Sequence, residues 1–600
     1  MRLDYDYITE AGDLDRVARD VLGAAVLGFD IETTSLDPRH GDIRLVQLSV
    51  PGPENDSRGR IYVIDLYQTK TLGPVFSALQ ETKAIFVIHN AKFEQKWMWW
   101  KFRFRIWPVF CTFRASSIIY NGKKGLRHDL DSVITRELGE HPVNVGQGDS
   151  NWSRSRLTQE QKDYAAEDVL RLAGLRDVLK QKLTQYGLLT TALVEFGVVF
   201  AEGRVELSGF ALNMDKWKAL AEKNIVLRSN AREELLYKLP HPKDQLALPG
   251  FGGQWNADSP KQMLASLQKL GLEIEATPEI VLAQFASRYP LVKKVLDYRH
   301  IAQRVKTFGL TFLRHVEADG RIHPDYFGML ATGRFSANKS MQQIPREDEF
   351  RECFEAPEGC RLVGADYSGI EMRLCAEISG DKALTLVFVE GMDAHRATAA
   401  VIAEVPLDQV SKKDRQNAKP VNFGFIYGMM PDKLVLYAMS NYGVTLTPSQ
   451  AKKYRARYFE RYSGVERWHR RVLRDGQRNG FSRTLSGRIR YLDPSESHNE
   501  YFNTPVQGTG ADALKTSMAI VQDRIDKRFG VTPPETPDGP AAIVHHVHDE
   551  IITEVPDDHA IVAEMESLLS SSMVEGMEKF VKRVPVVVDP SNGRSWAEIH

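Results

Sequence analysis

The sequence predicts an α/β domain over about the first 190 residues, a mainly helical stretch after it, and a mixed α/β region from residue 361 to the end. Three observations carry this. Short apolar runs cluster before residue 90 with helical patterns between and after them, as in one layered domain. Helical patterning takes over from about 191 to 330. From "RLVGADYSGIEMRLCA" onward, strand-like and helical stretches alternate. At 600 residues the chain exceeds what one core supports, so three or more units of roughly 100–200 residues are expected.

In order along the chain, residues 22–31, "LGAAVLGFDI", read as a buried strand. "RLVQLSV", "IYVID" and "AIFVIHN" follow as shorter strands, and residues 153–185 read as helical. The Pro/Gly-rich stretch "LPHPKDQLALPGFGGQWNADSP" (239–260) breaks the helical part. No phosphate-loop lysine follows its glycines at 250–253, so it reads as a loop. A second loop, "VTPPETPDGP" (531–540), precedes the strand-like "AAIVHHVHDEIITEVP".

Composition narrows the class. With 42% apolar and 26% charged residues the chain reads as soluble and globular, and a net charge of −1 leaves any nucleic-acid surface to a local basic cleft. The four cysteines form no CxxC pair and no zinc-like set, which suits reduced thiols. The N-terminus has no signal-peptide pattern and no apolar run is long enough to span a bilayer, so no membrane partner and a cytoplasmic location are expected.

Two groups of residues carry chemistry. "FDIET" puts Asp30 and Glu32 two apart on a strand, hence on one face. "HNAKFEQKW" offers Glu94 on a helix, and "DYAAEDV" offers Tyr164 and Asp168 one helical turn apart. Four such carboxylates can hold two divalent metals, with Tyr164 orienting an attacking water. Each fragment alone is commonplace, since an Asp-x-Glu strand end is usually a solvated edge. In the second group, "RLVGADYSGIEMRLCA" places Asp366 at the end of an apolar strand and "IVHHVHDEIITEV" places Asp549 and Glu550 after another. Two aspartates from separate strands suit a pair of Mg2+ ions bridging a nucleoside triphosphate and a hydroxyl. Between them "RQNAKPVNFGFIYG" sets Arg415, Lys419, Phe423 and Tyr427 four apart, two cations for phosphates and two rings for a base and sugar. Lys419 is also a candidate proton donor to departing pyrophosphate. Pro420 lies off that face and predicts a bend or tightening between residues 416 and 420.

The N-terminal carboxylates, with "CTFRAS", "HDLDSVITRELG" and "SNWSRSRLTQEQKDYAAEDV" around them, resemble the DEDDy 3′–5′ exonucleases of ribonuclease H-like fold. That family usually has Asp where this chain has Glu94, and the extra methylene shifts the carboxylate. "ADYSGIEMR", "RQNAKPVNFGFIYG" and "VHHVHDE" resemble motifs A, B and C of the family A DNA polymerases. "TGRFSANKSMQQIP", "TLSGRIRYL", "NTPVQGTGADALK" and "GRSWAEIH" extend the likeness over nearly the whole chain.

The resemblance implies a right-hand polymerase domain with helical thumb and fingers and a palm of α+β type with an antiparallel sheet. The implied division is 1–190 exonuclease, 191–345 mainly thumb, and 346–600 palm and fingers, the fingers at about 381–490. It implies Asp366 and Asp549 as metal ligands with Glu550 beside them, and Arg415, Lys419 and His395 on the triphosphate. Glu371 would exclude ribonucleotides, hydrogen-bonded to Tyr427, while Arg334, Asn503 and Gln507 would read the minor groove of primer–template. Gly369 and Asn499 depart from the bacterial polymerase I pattern, which has Gln and Arg there.

The implied activity is template-directed DNA synthesis from dNTPs with 3′–5′ proofreading, using two Mg2+ per active site, with Mn2+ as a substitute. The alternatives are an exonuclease whose C-terminal part only binds DNA, and an RNA polymerase or reverse transcriptase. Intact Asp366, Asp549, Arg415 and Lys419 oppose the first, and Glu371 with a fused exonuclease opposes the second. The expected enzyme is a monomer of phage-replicase type without a 5′ nuclease or a large thumb insertion. Its partners would be replisome proteins such as a helicase–primase and a single-strand-binding protein.

Overall fold

A computed structural model of the chain describes residues 3–52, 59–143, 146–240, 255–286, 288–493, 495, 498–536 and 541–600. Its N-terminal apolar runs form a six-stranded sheet of β1 (Asp6–Ile8), β2 (Val26–Thr33), β3 (Ile43–Val50), β4 (Arg60–Asp65), β5 (Ile85–Ile88) and β6 (Val109–Cys111). The order is β1-β4-β3-β2-β5-β6. β2 pairs antiparallel with β3 and parallel with β5, so the strand carrying Asp30 and Glu32 lies inside the sheet. One apolar core gathers residues from Ile8 to Val199 together with Ile489.

Two expectations shift here. Leu22 and Gly23 close the Leu14–Gly23 helix, and the strand begins at Val26. That helix buries Leu14, Val17, Ala18 and Val21, a helical spacing that runs straight into the strand's apolar residues. Residues 153–185 contain two helices, Gln159–Leu170 and Leu172–Gln185. The first starts at Thr158, whose side chain accepts from Gln161 N while Gln161 reaches back to the Thr158 backbone.

Beyond residue 200 the long helices Met214–Lys238 and Pro290–Phe308 pack together, and at their far end Leu235, Met263, Val292 and Tyr298 share a small separate core. Residues 241–254, including the glycines at 250–253, and residues 537–540 of the second loop lie outside the described residues. A four-stranded sheet follows, made of β7 (Cys360–Tyr367), β8 (Ala542–Val547), β9 (Glu550–Pro556) and β10 (Val588–Gly593). All its pairs are antiparallel, in the order β8-β9-β7-β10. Asp366 at the end of β7 thereby faces Glu550 on one side and Asp589 on the other.

Helices Asn499–Phe529 and His559–Glu578 pack on each other, and the second also packs on β7. Helices Lys412–Ile426, Pro431–Tyr442, Pro448–Arg461 and Ser463–Asn479 stand between β7 and β8 in the chain. The Lys412–Ile426 helix runs through Pro420, whose ring is buried, and a Ser411–Asp414 capping box starts it. Among the described residues, no helix is long and apolar enough to cross a membrane.

The junction between the halves is ionic and buried. Glu195 meets Arg114 at 2.9 Å and Lys515 at 2.5 Å, and also pairs with Arg488, which reaches Asp512 at 2.6 Å. These cations hold the Glu195 carboxyl down to about 2 against the opposing effect of burial. Burial lowers Lys515 to about 8, which leaves it charged at neutral pH.

Candidate active sites

In the first domain, one carboxylate oxygen each from Asp30, Glu32 and Asp168 lies within 4.8 Å of the others. β2 contributes the first two from one face, and the Gln159–Leu170 helix, which packs on β2, contributes the third. Burial pushes Asp30 up to about 7 against the lowering effect of a Glu94 hydrogen bond, and pushes Glu32 and Asp168 well above the usual carboxylate range, where repulsion from Asp30 adds to it. Such a crowd of buried negative charge fits divalent cations, which remove both penalties at once.

Glu94 is not among the three. It is buried on the Lys92–Phe102 helix beside Asp30, and its Oε2 finds no protein donor, so a proton or a cation must satisfy the pair. The Glu94 carboxyl therefore lies beside Asp30 and also adds to the charge felt by Glu32. The Tyr164 hydroxyl lies near Asp168, and burial followed by the Asp168 charge keeps it protonated.

In the second half, a cleft of about 580 Å³ is lined by Asp366, Asp549, Lys419, Phe423, Glu371 and His395, with Arg334 and Gln507 at its wall. Asp549 is raised to about 7 by burial, then by Asp366 and Glu371, and Asp366 is raised by burial, then by Glu550 and Asp589. This is again a cation-seeking pair.

His395 is lowered to about 4 by burial and is neutral at pH 7. Asn422 donates to its Nδ1 at 2.9 Å, because the Asn422 oxygen is taken by the Thr398 hydroxyl. The remaining ring proton therefore sits on Nε2 as a donor. Phe423 lies 5.6 Å from the His395 ring and stacks on Tyr442 at 6.5 Å.

Four further assigned residues are placed as follows. Arg415 does not line the cleft and instead pairs with Asp393 at 2.7 Å. Glu550 begins β9 directly opposite Asp366, as expected, and its carboxylate also meets His600 at 3.1 Å. Tyr427 follows the last residue of its helix, buried with its hydroxyl toward Glu371, while Arg334 reaches the Glu371 carboxylate at 3.3 Å. Asn503 does not line the cleft, and its Oδ1 is buried without a partner.

Conversely, Arg346, Tyr437, Tyr442 and His548 line the cleft and were not singled out from sequence. His548 stands beside Asp549 in "VHHVHDE" and Arg346 directly follows "QQIP", adjacencies that offered a signal. The two tyrosines offered none.

Comparisons with known proteins agree with this geometry. Residues 5–184 match the 3′–5′ exonuclease family, and residues 234–598 match DNA polymerase family A. DNA polymerase I of Aquifex aeolicus is 30% identical over 99% of this chain and 100% of its own length. DNA polymerase I of Pseudomonas aeruginosa is 30% identical over 100% of this chain and 66% of its own. The solved structure of the POL domain of Pol1 from M. smegmatis, in complex with DNA primer-template and dNTP, superposes with a TM-score of 0.81 at 24% identity, covering 99% of this chain and 100% of that one. With a family match over more than half its length, the chain belongs to the family A DNA polymerases and carries a 3′–5′ exonuclease domain ahead of its polymerase domain.

Proposed function

We propose that the cleft around Asp366 and Asp549 extends a primer on a DNA template from dNTPs and that the Asp30–Glu32–Asp168 site removes misincorporated 3′ nucleotides. The observation that carries the reading is the gathering of Asp366 and Asp549 with Lys419, Phe423, Glu371 and Gln507 around one cleft. Primer–template DNA and dNTPs are the partners this implies, and the M. smegmatis structure, with the same fold, holds both. The domain division proposed is 1–190 exonuclease, 191–345 mainly thumb, and 346–600 palm and fingers.

Asp366 and Asp549 would hold divalent cations, Mg2+ by preference, as would Asp30, Glu32 and Asp168, with Glu94 behind Asp30. When bound, such cations supply activation of the attacking oxygen and neutralisation of charge on the leaving oxygen. The primer 3′-hydroxyl attacks the α-phosphate and pyrophosphate leaves. Lys419 and the His395 Nε2 donor meet the triphosphate, and Lys419 supplies the proton taken by pyrophosphate. Arg415 joins them by exchanging Asp393 for phosphate. Phe423 supports the base and sugar, Tyr427 backs Glu371 against the sugar 2′ position, and Arg334, Gln507 and Asn503 meet the minor groove. In the exonuclease site the Tyr164 hydroxyl orients the attacking water.

A mismatched primer on a template, incubated with and without dNTPs, reports both sites. The expected outcome is shortening without dNTPs and trimming followed by extension with them. Asp549→Ala is expected to abolish extension while shortening persists, and undiminished extension by that variant refutes the polymerase site.

A further inference from the structure

The loop that carries Arg334 is held from three directions, one of them the exonuclease domain. The Asn121 amide donates to Ala331 O at 2.9 Å and to Ile489 O at 2.8 Å, tying that loop to the Ile489–Tyr491 strand. The Asn121 backbone oxygen accepts from Tyr491 N at 2.8 Å. The next residue, Gly122, has φ +91°, and a Cβ there would meet Tyr491 O at 2.3 Å, so the turn is built for this close approach. From the other sides, Lys515 donates to Gly328 O and the Arg488 guanidinium lies against Gly333. Both cations are anchored on Glu195. Within the loop, Gly333 N donates to Leu330 O and Leu330 N to Arg334 O, so a shift at Ala331 is passed to Arg334.

We infer that Asn121, a residue of the exonuclease domain, is a positioning residue for primer extension: by holding Ala331 it sets where Arg334 meets the primer terminus. This rests on the reading of Arg334 as a minor-groove contact and goes beyond it. An exonuclease-domain side chain then contributes to telling a matched primer end from a mismatched one in the polymerase cleft, apart from hydrolysis. The amide is suited to this because its two N–H groups satisfy two backbone oxygens from different segments at once.

The test uses the full chain in an Asp30→Ala background for single-dNTP addition, so that primers persist, and the Asp30-intact chain for hydrolysis of single-stranded DNA. Asn121→Asp removes both donors at constant size, and Asn121→Ala removes them without adding charge. Each is expected to lower kcat/KM for a matched end about 3- to 10-fold. The loss is smaller at a mismatched end, and single-strand hydrolysis stays within about twofold of the parent. Combined with Arg334→Ala, which lowers matched-end extension on its own, neither adds a further loss. Equal loss at both ends, a parallel loss of single-strand hydrolysis, or multiplying effects in the double variant would overturn the inference. If Arg334→Ala itself leaves matched-end extension unchanged, the reading of Arg334 fails and the inference falls with it. If only the Asn121 variants are silent, the inference alone is refuted.

Discussion

Phe423 stands half-buried between His395 and Tyr442, in the cleft that Lys419 also lines. A phenyl ring there offers packing and no hydrogen bond. Phe423→Tyr adds a hydroxyl able to replace the contact that a dideoxynucleotide lacks. The expected result is a rise in dideoxynucleotide incorporation of about 10-fold or more, the worth of one hydrogen bond to a charged group. Competitive incorporation of a dideoxynucleotide against its dNTP measures it, and no change means Phe423 does not face the sugar. Glu371, held by Arg334 at 3.3 Å, gives a complementary expectation. Glu371→Ala opens the sugar 2′ side and raises rNTP incorporation by about 10- to 100-fold relative to dNTP. The site residues were legible because "FDIET", "ADYSGIEMR", "RQNAKPVNFGFIYG" and "VHHVHDE" each keep several of them within a few residues of one another. Their partners were not, because an ion pair such as Arg415 with Asp393 joins separate helices and leaves no spacing to read.

Strands bounded by turns and helices of steady period could be read along the chain, but their ends and contacts could not. Leu22 and Gly23 continue an apolar run into β2 while belonging to a helix, and periodicity cannot divide two buried neighbours. Gly576 on the His559–Glu578 helix shows what an element's packing adds. A Cβ there would sit 2.0 Å from Ser517 Oγ and 2.9 Å from Ser517 N on the facing helix, so the two helices touch through the missing side chain. Ser517 is also hydrogen-bonded at 2.7 Å to Tyr367, the neighbour of Asp366. Gly576→Ala is therefore expected to destabilise the protein by about 1–3 kcal/mol. Chemical denaturation measures this, and primer extension should fall alongside it while single-strand hydrolysis is spared. A stability equal to the parent would show that the helix pair can move apart at no cost.

Across the whole molecule, the Glu195 cluster joins what the sequence presents as three regions: Arg114, Glu195 itself, and Arg488 with Asp512 and Lys515. Glu195 has its carboxyl held down to about 2 in the fold against an ordinary 4.5. Its contribution to stability is therefore complete above pH 4.5 and is lost as pH falls toward 2. Glu195→Gln leaves three buried cations short of a counter-charge and is expected to cost about 3–5 kcal/mol at pH 7. The same variant should lose less stability than the parent between pH 5 and pH 3, because the titrating group is gone. Thermal unfolding midpoints over that range decide it: parallel curves for parent and variant would show that Glu195 does not govern the acid limb.

The sequence by itself determined the strand-borne carboxylates, the cation-and-ring helix, and the order of an α/β domain before a mixed one. All of these are local, since they depend on side-chain periods of two and 3.6 residues and on motifs a few residues long. Only the tertiary structure decided which carboxylates meet, setting Glu94 beside Asp30 and Glu550 between Asp366 and His600. It also brought His548, Arg346, Tyr437 and Tyr442 into the cleft and set Asn121 against Ala331 and Ile489. The physical reason is the same in each case. Contacts between residues hundreds of positions apart follow from how whole elements pack and which backbone groups that packing leaves to be satisfied, and neither is written in local spacing.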